Sequence, residues 1–443
     1  MPIMLKARSY RLLLRAEKML ARVTQWHAEH HRTRLESYFH DTTLTDGDTA
    51  GRSLVLYANT IGEYNAVSSF TSAYFDHWPN DKLVVLVSSR RYFDAIARSR
   101  PNVNVGVLNW RSTRLHDAFL QRTNPRFLVI SEAPCLNGFL PPYPLGLLAS
   151  CLVHDLPVYV VNACRYERTP LSRLQKMEDI CFGDLHQKAI AQWFAPSESM
   201  AAQLVDISVP RQHITVVGNL KFDSAQSRKC TNDTIARKKN IHAFRQSRDG
   251  PIFVAGNVSE MDEQLIVFSA WQEIRSKYPL SRLIIAPRYL QYERAMSDLS
   301  HFLQKEGVKY GLWSKGAKAN EGVDALILDT YGELFDFYGI ASLCYAGRNH
   351  GVLESLGQGR PTLVCTQWNE SSGNFEIYRR LVEAGALVQV QDPAELGRVG
   401  LRVLDDKTFR QTCIACAQSV INAEKGAGVR TLKFIQTDCR VKP

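Results

Sequence analysis

The chain has 443 residues, 45% hydrophobic and 22% charged, which excludes bulk disorder and sets an expectation of about two to three domains. Its formal net charge of +10 and pI near 9.1 call for a polyanionic partner, whether nucleic acid, an anionic membrane or a phosphorylated substrate. No apolar run reaches the ~18 residues of a transmembrane helix, and Lys6, Arg8 and Arg11 break Ile3 to Leu14, which therefore does not read as a secretory signal.

Residues 1–50 predict a basic amphipathic helical segment followed by a linker. Leu5, Leu12, Leu13, Leu14, Met19, Leu20, Val23 and Trp26 recur at helical spacing, with Lys6, Arg8, Arg11, Arg15, Lys18 and Arg22 between them. Such a helix lies in an anionic membrane interface, or packs on the protein with a solvated basic face; the pattern fits both. From Ser53 short apolar strands alternate with helical patterns. The strands are Leu54–Tyr57, Leu83–Val87, Asn104–Leu108, Phe127–Ile130, Val158–Val161, Trp193–Ala195 and Ile214–Val217, with helices such as Ala66–Phe75 and Tyr92–Arg98 between them. Strands apolar on both faces with helical crossovers imply a doubly wound parallel sheet over residues 51–223.

Residues 224–250 are polar and basic and read as an interdomain connection with a solvated helix. Without interleaved aromatics they do not support a nucleic-acid patch. The alternation resumes at Ile252–Ala255 and continues through Arg282–Ala286, Ala325–Leu328, Ala341–Tyr345, Pro361–Cys365 and Ala386–Val390, a second Rossmann-like sheet over residues 251–415. Residues 416–443 read as a helical tail. The fold class is α/β: two Rossmann-like doubly wound domains facing a cleft, the GT-B architecture of many nucleotide-sugar glycosyltransferases. Ten cysteines are scattered, and only Cys413 and Cys416 are close, in a helical stretch where core packing is the expectation over zinc. Reduced thiols point to the cytoplasm.

The turns that follow the strands carry the chemistry. Tyr57-Ala-Asn-Thr-Ile-Gly-Glu63 places a carboxylate at the start of a helical pattern, suited either to general base work on a hydroxyl or to the helix macrodipole. Glu132 follows the strand Phe127–Ile130. Arg165 and Arg168 follow the strand Val158–Val161, with guanidinium forks that match phosphate or carboxylate. Gly218-Asn-Leu-Lys221 offers an ammonium at the end of the first domain. In the second domain, Pro287-Arg288, Tyr331-Gly332-Glu333, Gly351-Val352-Leu353-Glu354 and Asn374 line up at strand ends. Helix N-termini there suit a phosphate, and a carboxylate suits ribose hydroxyls. His350 reads better as a structural histidine than as a proton shuttle. HExxH, P-loop, G-x-S-x-G and dinucleotide Gly-rich signatures are absent.

Taken in order, these turns resemble the 3-deoxy-D-manno-octulosonic acid (Kdo) transferase family of bacterial lipopolysaccharide assembly, over roughly residues 50 to 435. The family's H-A-x-S-V-G-E is similar to Tyr57-Ala-Asn-Thr-Ile-Gly-Glu63, and its G-N-L-K-F-D is present whole at Gly218–Asp223. A-G-S-T-H-x-G-E-E is similar to Ala255–Glu263, V-P-R-H to Ala286–Tyr289, and G-D-T-M-G-E-L to Leu328–Leu334. G-G-H-N-x-L-E-P is similar to Arg348–Ser355, and the later N-F to Asn374-Phe375. There are departures: Glu132-Ala-Pro134 stands where the family has E-T-E, Cys164 where N-A-R has its arginine, Gly351 where the family has an asparagine, and the basic segment 1–50 where the family has an N-terminal hydrophobic anchor.

The resemblance implies an inverting GT-B transferase of Kdo from CMP-Kdo to a lipid A precursor or related glycan, peripherally attached to the inner face of the bacterial inner membrane. It implies Glu63 as the general base, Lys221 as transition-state stabiliser and Glu132 as a further catalytic carboxylate. Pro287, Arg288, Tyr331, Gly332, Glu333, Gly351, Val352, Leu353, Glu354 and Asn374 would hold the CMP moiety, without an obligatory metal or cofactor and without nucleic acid. Transfer of another CMP-activated ulosonic acid, or a non-catalytic membrane-bound paralogue, stays open at this point.

Overall fold

The structure is a computed structural model. It describes residues 51–441 except 59, 88–92, 94–95, 98–102, 108–112, 133–144, 165–187, 207–208, 227–231, 260, 289, 291–292, 317 and 371. The basic segment 1–50, Arg165, Arg168, Pro134 and most of Tyr92–Arg98 lie outside the described residues.

The chain divides into two units, residues 1–224 with 426–443, and residues 225–425. In the first, strands β1 (Ser53–Tyr57), β2 (Lys82–Val87), β3 (Asn104–Val107), β4 (Pro125–Ser131), β5 (Val158–Val161), β6 (Ile190–Ala195) and β7 (Ile214–Val216) form one sheet, ordered β3-β2-β1-β4-β5-β6-β7. Every pairing is parallel. Helices α1 (Ile61–Ala66), α2 (Ser68–His77), α3 (Thr113–Thr123), α4 (Leu145–Val153), α5 (Glu198–Asp206) and α6 (Leu220–Ser224) follow these strands. Alternate strand residues feed opposite cores: Val55, Leu128, Val160 and Trp193 pack on one face, and Leu54, Phe127, Tyr159 and Phe194 on the other. Burial on both faces explains why these strands read as continuous apolar runs.

The second unit starts with α7 (Asn232–Gln246) and a sheet of β8 (Ile252–Val258), β9 (Arg282–Pro287), β10 (Tyr310–Leu312), β11 (Ala325–Ile327), β12 (Leu343–Ala346), β13 (Thr362–Cys365) and β14 (Val388–Val390). The order is β10-β11-β9-β8-β12-β13-β14, again all parallel. Its helices are α8 (Met261–Lys277), α9 (Glu293–Lys305), α10 (Leu334–Tyr338), α11 (Leu353–Gly357), α12 (Phe375–Glu383), α13 (Leu396–Asp405) and α14 (Lys407–Glu424). Cys413 is buried on the inner face of α14.

Three expectations differ from the structure. The helix expected over Ala66–Phe75 is two helices that meet at Val67, which takes the bridge conformation at φ −94° and ψ 11°. The edge strand β10 was not expected, because three residues around Gly311 carry no alternating signal. The third concerns domain boundaries: α7 belongs to the second unit, and within the expected helical tail the chain returns to the first unit at Gly426. The returning helix, α15 (Ala427–Gln436), puts Ala427, Leu432 and Ile435 into the first unit's core. The Asp223 carboxylate caps it, accepting N–H bonds from Gly426 at 2.6 Å and Gly428 at 2.8 Å.

Candidate active site and donor-binding turns

In an open parallel sheet, ligands bind beyond the carboxyl ends of the strands, where the strand order reverses. In the first unit that point lies between β1 and β4, which are neighbours in the sheet with their helices running off in opposite directions. Glu63 follows one of these strands and Glu132 the other. Thr60 caps α1 by accepting the Glu63 N–H at 3.0 Å, the T-x-x-E spacing of a capping box. Ser131 at the end of β4 donates its hydroxyl to the Glu63 carbonyl at 3.0 Å, tying the two strand ends together.

Glu132 sits just past β4 with φ 52°, and is only 4% exposed. Its Oε1 accepts from Lys221 Nζ at 2.8 Å and from Asn162 Nδ2 at 3.0 Å. Asn162, just past β5, is also left-handed at φ 55°. Its Oδ1 takes the Leu220 N–H at 3.1 Å, at the first residue of α6. Lys221 therefore reaches Glu132 from a helix that Asn162 anchors. The turn before it needs Gly218, at φ 91°, because a Cβ there would lie 2.7 Å from the Arg430 guanidinium that holds the Val217 carbonyl. Burial alone would lower the Lys221 pKa. The Glu132 carboxylate, with lesser contributions from Cys164 and Glu63, reverses this and holds it above the ordinary lysine value. Lys221 at neutral pH is an ammonium paired with the Glu132 carboxylate.

The second unit has its switch point between β8 and β12. Gly347 follows β12 against the β8 backbone, where its N–H meets the Gly256 carbonyl at 2.9 Å and a Cβ would lie 2.2 Å from the Asn257 carbonyl oxygen. The next turn is fixed from below by Glu263, 1% exposed at the start of α8. Its carboxylate accepts from the Tyr345 hydroxyl at 2.8 Å, the Arg348 N–H at 2.9 Å and the Ser259 N–H at 3.3 Å. Arg348 also pairs with Asp262 at 2.9 Å. Its own burial opposes this, but Asp262 and Glu263 hold the guanidinium pKa above its ordinary value. Asn349, at φ 64°, links the turn onward: its Oδ1 takes the Asn369 N–H at 2.6 Å and its carbonyl takes Asn374 Nδ2 at 3.2 Å.

These contacts bring together Arg288, at the end of β9, and His350, whose ring contacts the guanidinium and stands 3.0 Å from Ser259 Oγ. His350 is thus part of the polar turn rather than a packed core histidine. Glu354 lies in the first turn of α11, and Glu333 is the N-cap residue of α10 with Thr330 hydrogen-bonded to its carboxylate. Tyr331 is 44% exposed beside Gly332 at φ 91°. Val352 and Leu353 bury their side chains, so at these two positions it is the main-chain groups that are available to a ligand. Asn374 spends its amide nitrogen on Asn349. Pro287 ends β9 in the interior of the sheet and serves to aim Arg288. Asn162, Glu263 and Asn349 received no role from the sequence, since each acts through partners distant along the chain. Among the described residues no group of three or more His, Cys, Asp or Glu is arranged to hold a metal ion.

The model of the family described as 3-deoxy-D-manno-octulosonic-acid transferase (kdotransferase) matches residues 29–224, the stretch that contains Glu63, Glu132 and Lys221. The 3-deoxy-D-manno-octulosonic acid transferase of Haemophilus influenzae is 26% identical over 332 residues, 72% of this chain and 71% of that one. That of Chlamydia trachomatis serovar A is 24% identical over 402 residues, 85% of this chain and 84% of that one. Over these stretches the chain is similar to the Kdo transferase family. Kdo transferases are glycosyltransferases, and the fold agrees with that class. The UDP-GlcNAc 2-epimerase of Neisseria meningitidis superposes with a TM-score of 0.58 at 13% identity, covering 87% of this chain and all of that one. A glycosyltransferase from Rickettsia africae superposes at 0.55 with 8% identity, over 87% of this chain and 97% of that one. At such identities these neighbours speak to the GT-B fold of this Kdo transferase relative and to nothing finer.

Proposed function

We propose that the enzyme transfers Kdo from CMP-Kdo, with inversion, to a hydroxyl of a lipid A precursor or a related bacterial surface glycan. The observation that carries this reading is the part-buried Lys221 ammonium held by the buried Glu132 and Asn162 at the first unit's switch point, which Glu63 also follows, in a chain whose relatives are Kdo transferases. Glu63 accepts the acceptor hydroxyl proton as that oxygen attacks the anomeric carbon. The bond from that carbon to the phosphate oxygen breaks, and CMP leaves with the electron pair. Lys221 offsets negative charge in the transition state, and Glu132 holds the ammonium in place. In the second unit, Arg288 with His350 and the main chain of 351–353 take the phosphate, and Glu354 takes the ribose hydroxyls. The leaving group is a nucleoside monophosphate, so these groups suffice without an obligatory metal.

For location, we propose peripheral attachment to the inner face of the inner membrane through the basic segment 1–50. Among the described residues no helix is long and apolar enough to cross a membrane. Removing residues 1–50 would then lower co-sedimentation with anionic liposomes, and an unchanged pellet fraction would refute attachment through this segment. The donor is tested by thermal shift with CMP, CDP, UMP, UDP, GDP and AMP. Stabilisation selective for CMP is expected. Stabilisation only by a nucleoside diphosphate would overturn the donor class.

A further inference from the structure

We propose that Asn162 is a positioning residue for Lys221. The proposal rests on the reading of Lys221 as the group that stabilises the transition state. One amide holds both ends of the lysine's environment. Its Nδ2 donates to the Glu132 oxygen that also receives the ammonium, and its Oδ1 accepts the N–H of the residue before Lys221. The first contact fixes the counterion and the second fixes the helix carrying the cation. Asn162 is 3% exposed, so water does not readily replace either bond.

The backbone supports a dedicated role. Asn162 sits at φ 55° and Glu132 at φ 52°, both in the left-handed region and both directly after adjacent parallel strands. Asparagine tolerates this conformation, and its short side chain is then turned back over the strand ends. Glu132 is locked there by its own N–H to the Val161 carbonyl at 2.9 Å and by the Cys164 thiol on its carbonyl. The carboxylate, the amide and the α6 N–H form one chain of bonds ending on the ammonium. Asn162 touches no reacting atom in this reading. It sets where the positive charge stands, and displacement of a charge by about 1 Å at a transition state costs up to roughly a hundredfold in rate.

The test is a double-mutant cycle in kcat on the full chain, with Asn162→Gly and Lys221→Met. Glycine adopts the left-handed backbone without strain, so this change removes the amide alone. Asn162→Gly is expected to lower kcat roughly 10- to 100-fold with the KM for CMP-Kdo unchanged. In the Lys221→Met background the same change is expected to cost no more than about twofold, because the group it positions is gone. Asn162→Asp, which keeps the acceptor for Leu220 but sets a carboxylate against Glu132, is expected to lose kcat likewise and covers the case in which the glycine variant does not fold. An equal loss in both backgrounds, or full kcat in either Asn162 variant, overturns the proposal. If Lys221→Met alone retains full kcat, the role given to Lys221 falls first, and the proposal falls with it.

Discussion

Replacing Lys221 with methionine removes the ammonium and keeps nearly the same volume. What remains is the Glu132 carboxylate, 4% exposed, which has lost a partner at 2.8 Å. Breaking a buried ion pair from one side costs about 3 to 5 kcal/mol. The lysine side chain is itself 22% exposed, so the low end, about 3 kcal/mol, is the expectation. Replacing both partners, Lys221→Met with Glu132→Leu, removes the orphaned charge but leaves the buried Asn162 Nδ2 without that acceptor, and is expected to cost about 1 to 3 kcal/mol. Two units need not unfold together, so global melting is the wrong assay. Hydrogen exchange by mass spectrometry on peptides spanning β4 and β5 reports the opening of the first unit alone. The Lys221 pKa is raised in the folded state, so its stabilisation is fully present below 10.5 and is lost as pH rises through the higher folded value. The gap between wild type and Lys221→Met should therefore be flat through the neutral range. A single-variant cost under about 1 kcal/mol, or a double variant as unstable as the sum of both singles, would refute the coupled pair.

Glu63→Gln is expected to lower kcat by roughly 10²- to 10⁴-fold while CMP affinity stays put in calorimetry, since nucleotide turns and base belong to different units. Retained turnover would remove Glu63 from the mechanism. Arg288→Ala should weaken CMP binding by about 1.5 to 3 kcal/mol, and unchanged affinity would refute its phosphate contact. Glu263→Ala leaves the Tyr345 hydroxyl and two N–H groups without their acceptor in the interior, so exchange protection of β8 and β12 should drop by about 3 kcal/mol or more. Protection equal to wild type would mean that the turn stands without it. His116 is buried, which pushes its pKa down to about 4 from 6.5. The unfolded chain binds that proton first, so stability of the first unit should fall by about 3 kcal/mol as pH drops from 6.5 to 4. His116→Phe should remove that slope, and an unchanged slope would assign it elsewhere.

The strands were legible because they are buried on both faces, and apolar runs such as Leu54–Tyr57 and Leu283–Ala286 leave few other readings. Position in the fold was less so. The amphipathic pattern of α15 shows that one face is buried but not against which core; its packing in the first unit's core, the Asp223 cap and the Arg430 contact reveal its return there. The places of Glu63 and Lys221 in the turns after β1 and β7 were legible through the spacing of those turns. Glu132 could be placed at a strand end, but its ion pair with Lys221 depends on β4 and the turn after β7 meeting in space. Glu263 looked like one of the acids favoured in any first helical turn, and its burial under Arg348 is a property of the tertiary fold. For Val352 and Leu353 the motif shows a helix-start turn but not that both side chains are buried, which the packing of α11 decides.

Kdo transfer by this chain is tested by incubating the purified full chain with CMP-Kdo and a lipid A precursor, then following free CMP and the acceptor mass together. CMP release is expected to match a Kdo mass increment on the acceptor, with both abolished in Glu63→Gln. A folded wild-type chain that binds CMP yet leaves the acceptor unmodified, or releases CMP equally from Glu63→Gln, would contradict it.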